Sequence, residues 1–354
     1  MKILFKGNIM NPTGISTANR ELVLALKKLG NQIQVMDPFL DSWEFNKGLE
    51  RFNNAINVKS DCITIFADYP QFWQLGYGKL FGLFLHEGTV LRPDWVQAMN
   101  RIGNIIVPSE SCKNLFKWNG VISKIHVVPY GTDEEVYKPS LLKGIGDYLF
   151  LSVNSWTGNV NDRKGTDLLI KAFDEEFKDE KVKLILKIGT FWESKPLEFY
   201  VGSIINILGH VNKNILINNS YMSKTDLAEI YQKSDCFVAP TRGEGFGLTI
   251  LDAMAVGLPV IVTKDLNSGH TDFCKGKDSV LWIDAPKMAP ADPRFYHQGN
   301  MQPVPDISSL RKQMRYAFEH REELFNKGLN NSEEIRQNWS WKESAKKMQE
   351  VLNG

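Results

Sequence analysis

Cysteine is scarce in this chain. The four residues Cys62, Cys112, Cys236 and Cys274 lie far apart and form no Cys-x-x-Cys pair. That spacing argues against a zinc ribbon or a disulfide framework and fits a reducing compartment. No window approaches the roughly 18 consecutive apolar residues of a membrane-spanning helix. The opening MKILFKGNIM is too short and too charged for a signal peptide. A cytoplasmic protein is therefore expected, with peripheral contact at the inner face of a membrane left open. Charge of one sign is missing too. The formal net charge is +1, so no global field argues for nucleic acid, and none is expected as a partner. Familiar catalytic strings are absent: no Gly-x-Ser-x-Gly elbow, no His-Glu-x-x-His and no Walker A loop. There is no Asp-x-Asp, hence no reason to expect a metal.

What is present is a repeated alternation of short apolar runs and helical segments. The 354 residues suggest two domains, and a hydrophobic fraction of 43% is enough for full cores. Strands are expected at 3–5, 33–36, 63–66, 83–85, 105–107 and 125–128. Helices are expected at 15–29, with Ser16 as a cap, and at 93–99 and 109–118. Residues 137–146, with Pro139, Gly144 and Gly146, read as a linker. The alternation restarts with strands at 148–153, 183–188, 215–217, 235–239 and 259–262. Its helices fall at 166–177, 197–208, 224–233 and 246–256. Residues 264–305 read as a long loop-rich stretch with five prolines, with helices at 307–325 and 341–352 closing the chain. The fold class is α/β, two doubly wound Rossmann-like domains with a cleft between them. The expected domains are 1–140 and 147–335, with a terminal helical segment at 336–354 folding back towards the first. The aromatics Phe39, Trp43, Phe45, Phe52, Tyr69, Phe72, Trp73 and Tyr77 fall in a less regular stretch. Core packing accounts for most of them, and stacking on sugar rings is the other reading.

Ligands of open α/β sheets bind beyond the carboxyl ends of the strands. The richest such place is the strand, glycine loop and helix start of DCFVAPTRGEGFGLTILDAMAVGLPVIVT, residues 235–263. Loop glycines let a ligand approach the backbone, and the first N–H groups of the helix have no internal partner. Glu244 stands inside that loop, where it would repel a phosphate, and it suits the hydroxyls of a sugar. Together with the missing third glycine, it also argues against a nicotinamide site. Asp252 lies six residues past Phe246, about 9 Å along a helix, so one ligand with a sugar, phosphates and a ribose diol can touch both. Arg163 and Lys164 precede a helix start where a cation reaches a diphosphate, unless they form only a solvated basic turn. Arg242 is a further loop cation. His86 ends a strand and either contacts a sugar or caps its loop. Gly14 precedes a helix start and is either a phosphate-approach glycine or a turn glycine. The remaining histidines, His270 among them, lack such context.

These residues resemble the retaining glycosyltransferases of family 4, whose fold is GT-B. PTRGEGFGLTILDAMAVGLPVIVT is similar to that family's Glu-x7-Glu signature, here with Glu244 and the shorter Asp252. GISTANRELVLAL, FLHEG, IIVPSESCKNLF, KIHVVPYGTDEEVYKP, DRKGTDLLIKAF and SGHTDF follow the family in order and spacing. The likeness covers nearly the whole chain and is weakest at 38–80 and 275–305. It implies transfer of a sugar from a nucleotide-diphosphate sugar to a glycan, lipid-linked or small-molecule hydroxyl acceptor, with retained anomeric configuration. No cofactor and no metal are implied. Glu244 would bind sugar hydroxyls, and Asp252 would hold the ribose. Gly245 belongs to the same donor loop, and Phe246, Gly247 and Leu248 would offer backbone N–H groups. Lys164 would neutralise the departing diphosphate, His86 would lie at the sugar, and Gly14 would approach the phosphates. The chain departs from the family where an arginine usually stands, six residues before the lysine, because Gly158 is there. Arg163 or Arg242 is the expected substitute. A sugar-nucleotide epimerase, a pyridoxal-phosphate phosphorylase and a degenerate sugar-nucleotide-binding module are the competing readings.

Overall fold

The computed structural model describes residues 1–11, 13–37, 62–75, 78–140, 146–189, 195–265 and 267–354. They divide into two compact units, Met1–Gly131 with Trp339–Gly354, and Thr132–Asn338. The break precedes the 137–146 linker because residues 132–138 are tied into the second unit. Asp133 pairs with Lys224 at 2.8 Å, and Gln232 donates to the Lys138 carbonyl at 2.8 Å.

The first unit runs β1 (Lys2–Gly7), α1 (Gly14–Lys28), β2 (Gln32–Met36), β3 (Ile63–Ala67), β4 (Lys79–Leu83), α2 (Pro93–Ile102), β5 (Asn104–Val107), α3 (Glu110–Trp118) and β6 (Lys124–Val127). Its parallel sheet has the order β2-β1-β3-β4-β5-β6. Ile3 lies opposite both Ile33 and Ile63. These strands read as apolar runs because both faces of a parallel sheet are covered. One face is closed by Phe84, Trp95, Met99, Ile105 and Phe116. The helix expected to be capped by Ser16 is capped by Thr13, whose hydroxyl accepts the Ser16 N–H at 3.1 Å. The strand expected at 83–85 lies earlier, at 79–83, so His86 follows it by a short loop.

The second unit runs β7 (Tyr148–Asn154), α4 (Thr166–Glu176), β8 (Val182–Ile188), α5 (Leu197–Leu208), β9 (Ile215–Asn218), α6 (Lys224–Lys233), β10 (Cys236–Ala239), α7 (Leu248–Ala255), β11 (Val260–Thr263), α8 (Thr271–Cys274), β12 (Val280–Ile283), β13 (Lys287–Pro290), β14 (Met301–Val304), α9 (Ile307–Glu319) and α10 (Arg321–Asn338). Its parallel sheet has the order β12-β11-β10-β7-β8-β9. Phe150, Leu184 and Leu186 on one face pack with Leu169 and Phe173 of α4, Tyr200 of α5 and Leu310 of α9. Truncating one such buried aromatic to alanine costs about 3 kcal/mol or more.

The closing helix α11 (Trp341–Asn353) belongs to the first unit and packs on α1. Gly131 lies so close to the Ser340–Trp341 backbone that a Cβ there would stand 2.2 Å from the Trp341 nitrogen.

Three stretches differ from expectation. The single helix at 307–325 is two helices, broken at His320, and the second runs on to Asn338. Its NKGLNNSEE run is poor in helix formers. It is helical because Leu324, Gly328, Ser332 and Ile335 bury one side, with α7 as its main neighbour. The loop-rich stretch at 264–305 holds α8, β12 and the antiparallel pair β13–β14. Among the described aromatics, Tyr69 and Phe72 are exposed rather than core, and only Trp73 is partly covered. Phe39, Trp43, Phe45, Phe52, Tyr77 and the linker's Gly144 lie outside the described residues.

Candidate functional site

Two loops at the carboxyl end of the second sheet are bound to each other. One follows β7 and leads into α4; the other follows β10 and leads into α7. Gly165 has φ +67, and a Cβ there would lie 1.9 Å from the Pro240 carbonyl oxygen, so only glycine lets the loops meet. The Arg242 N–H donates to the Arg163 carbonyl at 2.7 Å, and Arg163 Nη1 donates to the Gly243 carbonyl at 2.7 Å. Asp162 caps the start of α4 by accepting the Lys164 N–H at 3.2 Å and the Thr166 N–H at 3.1 Å. Burial and repulsion from Asp167 push the Asp162 carboxyl up to about 6, against the pull of Arg242.

This joint brings Glu244 and Lys164 together. Lys164 Nζ lies 2.5 Å from Glu244 Oε1, and Arg163 Nη1 lies 3.5 Å from Oε2. Glu244 is only 9% exposed. Burial alone would raise its carboxyl, but Lys164 and Arg163 outweigh burial and hold it at about 2. A carboxylate and two cations thus stand together at the start of α7.

Gly247 takes φ +100 and opens α7, leaving the first N–H groups of the helix at the loop. The Phe246 side chain is 2% exposed and packs on Phe273 at 5.4 Å, so it anchors the loop. Any ligand contact from Phe246 is therefore through its backbone, as with Gly245 and Leu248. The helix starts at Leu248 rather than 246, because Gly247 is left-handed. Asp252 lies within α7 and accepts the Thr132 hydroxyl at 2.7 Å.

Arg242 has a different place from the one expected of a phosphate cation. The residue is 6% exposed, and its guanidinium pairs with Asp167 at 3.1 Å and donates to the Asp162 carbonyl. It pins the two loops together. Arg163, in contrast, stands beside Glu244.

Sequence reasoning missed the support behind Glu244. The Glu244 N–H donates to Ser268 Oγ at 3.2 Å, and its carbonyl accepts the Gly269 N–H at 2.7 Å. Ser268 in turn donates to Asp265 Oδ2 at 2.9 Å. His270 is fully buried, and burial pushes its pKa down from the ordinary histidine value. Its Nε2 lies 2.9 Å from the Thr263 carbonyl, which only accepts, so Nε2 carries the proton. The SGHTDF string was the only signal for this strut.

His86 and Gly14 belong to the first unit. His86 is 8% exposed, its ring edge-on to Trp95 at 5.7 Å, and its carbonyl faces the Cys112 thiol at 3.6 Å. Gly14 is exposed at the first position of α1, and a Cβ there would meet nothing within 4 Å.

The fold so described is GT-B, and solved structures share it. Sucrose-phosphate synthase from Thermosynechococcus elongatus superposes with a TM-score of 0.73 at 15% identity, over 100% of this chain and 98% of that one. HepE from Anabaena, solved in complex with UDP-glucose, gives 0.72 at 15% identity, over 100% and 99%. Residues 153–291, which hold both loops, match the family model of the glycosyl transferases group 1. A curated relative, the D-inositol 3-phosphate glycosyltransferase of Xylanimonas cellulosilytica, is 27% identical over 199 residues, 49% of this chain and 45% of that protein. The aligned stretches span less than half the length of the curated relatives.

Proposed function

We propose that this chain is a retaining glycosyltransferase that moves a sugar from a nucleotide-diphosphate sugar to a hydroxyl acceptor. The observation that carries the reading is the Glu244–Lys164 pair at the glycine-rich start of α7. A carboxylate for hydroxyls and a cation for phosphate stand side by side, as a sugar joined to a diphosphate requires. The match of residues 153–291 to the group 1 glycosyl transferases supports it.

In this mechanism the barrier is departure of the nucleoside diphosphate, with oxocarbenium character left at the sugar. Lys164, with Arg163 beside it, and the α7 N–H groups stabilise the charge growing on the phosphate. Glu244 holds the sugar hydroxyls, and the Ser268–Gly269 strut fixes its backbone. Asp252 binds the ribose diol, oriented by Thr132. The acceptor attacks on the face the diphosphate leaves, and the departing phosphate takes its proton. The step needs no cofactor and no metal. Of the first unit's residues, His86 is the proposed contact to the transferred sugar and Gly14 the proposed backbone approach to phosphate.

The test is release of nucleoside diphosphate from UDP-, GDP- and ADP-sugars across a panel of glycan, lipid-linked and small-molecule acceptors. The product's anomeric coupling by NMR reads retention. Glu244→Gln and Lys164→Ala each cut turnover by about 100-fold while circular dichroism stays native. Near-normal turnover in both variants overturns the assignment, and an inverted product overturns retention.

A further inference from the structure

Lys187 is a buried cation that nothing in the mechanism above uses. It is 7% exposed, and among the described residues no carboxylate pairs with it. A lysine ammonium has three hydrogens to donate. Among the described residues its acceptor is the Ile188 carbonyl, at 3.2 Å. Lys183, earlier on the same strand, is satisfied by Asp147 at 2.8 Å. Holding an ammonium in such surroundings is unfavourable unless an anion completes it. Burial alone holds the Lys187 pKa below the usual lysine range.

Its position in the sheet says which anion. Lys187 is the penultimate residue of β8, opposite Val153 of β7, at the carboxyl end where both ligand loops begin. Leu184, Leu186 and Ile188 enter the core formed with α4, α5 and α9. By alternation Lys187 faces the other side of the sheet. That is the side of α7, which packs on β10 and β11 and contributes nothing to the α4 core. Since β8 is two strands from β10, Lys187 stands about 10 Å across the sheet from the strand that leads into the α7 start. A nucleotide lying along the strand ends covers that span. Of the other cations nearby, Arg242 is held by Asp167, while Arg163 stands beside Glu244.

We propose that Lys187 is a second phosphate-binding lysine of this site, its ammonium donating to an oxygen of the donor's diphosphate. The assignment rests on the glycosyltransferase reading and adds the cation that neither Gly158 nor Arg242 supplies.

Calorimetric titration of uridine, UMP and UDP into the wild type, Lys187→Met and Lys187→Gln tests it. Both variants bind UDP about 30-fold more weakly, the value of one charge-assisted hydrogen bond, and bind uridine as the wild type does. Without ligand, K187M melts at the wild-type temperature or above, because a buried charge has been removed. Unchanged UDP affinity in both variants overturns the assignment, and with a lower melting temperature it marks Lys187 as a structural tie. Equal weakening of uridine and UDP overturns it as well, in favour of a contact to the base. A wild type that takes none of UDP, GDP and ADP overturns the glycosyltransferase reading, and this assignment with it.

Discussion

Glu244→Gln removes one negative charge and keeps the side chain's shape. The carboxyl is held at about 2 against an ordinary value of 4.5. That depression corresponds to about 3 kcal/mol favouring the charged form. The Lys164 and Arg163 side chains remain 19% and 24% exposed, so water screens part of the attraction. Part of it, about 1 to 2 kcal/mol, is the expected loss on substitution. The consequence for binding has the opposite sign. Without ligand, Lys164 is paired with Glu244 and must give up part of that contact to reach phosphate. A bare nucleoside diphosphate competes with that carboxylate and offers it nothing in return. A nucleotide sugar gives it hydroxyls. E244Q should therefore bind UDP about tenfold more tightly, a gain of the same size, while sugar transfer falls. Calorimetry with UDP reads the first effect and diphosphate release reads the second. UDP affinity that is unchanged or weaker in E244Q refutes the idea that carboxylate and phosphate compete for Lys164.

Other outcomes follow from the same geometry. The native Glu244 pKa lies below its unfolded value, so the pair's contribution is complete above about pH 5 and is lost as the pH falls through about 4.5 towards 2. Urea titrations should show the stability gap between wild type and E244Q closing over that window, and parallel curves would contradict it. Arg242→Ala leaves Asp167 buried and unpaired, at a cost of about 3 kcal/mol in urea unfolding; a change under about 0.5 kcal/mol would mean that the pair does not pin the loops. Gly165→Ala sets a methyl 1.9 Å from the Pro240 oxygen at a positive φ. It should cost about 2 kcal/mol or more and lower turnover with Lys164 intact, so wild-type turnover would show that the joint is not needed.

The Glu244 loop was legible because its signal is local. A short apolar strand, loop glycines and a helix start occur in one run, and the glycines mean the same thing wherever that run sits. The strut behind it was not legible. Glu244 meets Ser268 across 24 residues of chain, and nothing in SGHTDF says which backbone it faces. His270 looked contextless for that reason. Arg163 in DRKGTD and Arg242 in PTRGEG belong to separate loops, and as loop cations they look equivalent in sequence. Only the packing of α4 places Asp167 beside Arg242 and leaves Arg163 at Glu244. Helix α10 hid for an energetic reason, since its central run of Asn, Gly and Ser disfavours helix and burial of Leu324 and Ile335 reverses the balance.

The sequence by itself determined the α/β class, the succession of strands as far as β11, and the strand–glycine–helix unit that carries Glu244 and Asp252. These depend on apolar periodicity and turn chemistry, which act over a few residues. The tertiary structure decided what the charges do. It joined Glu244 to Lys164, locked Arg242 to Asp167 and buried Lys187 with no carboxylate paired to it among the described residues. Charge pairing depends on distance and on exclusion of water, and both are set by segments about 80 residues apart in the chain that fold onto one sheet end.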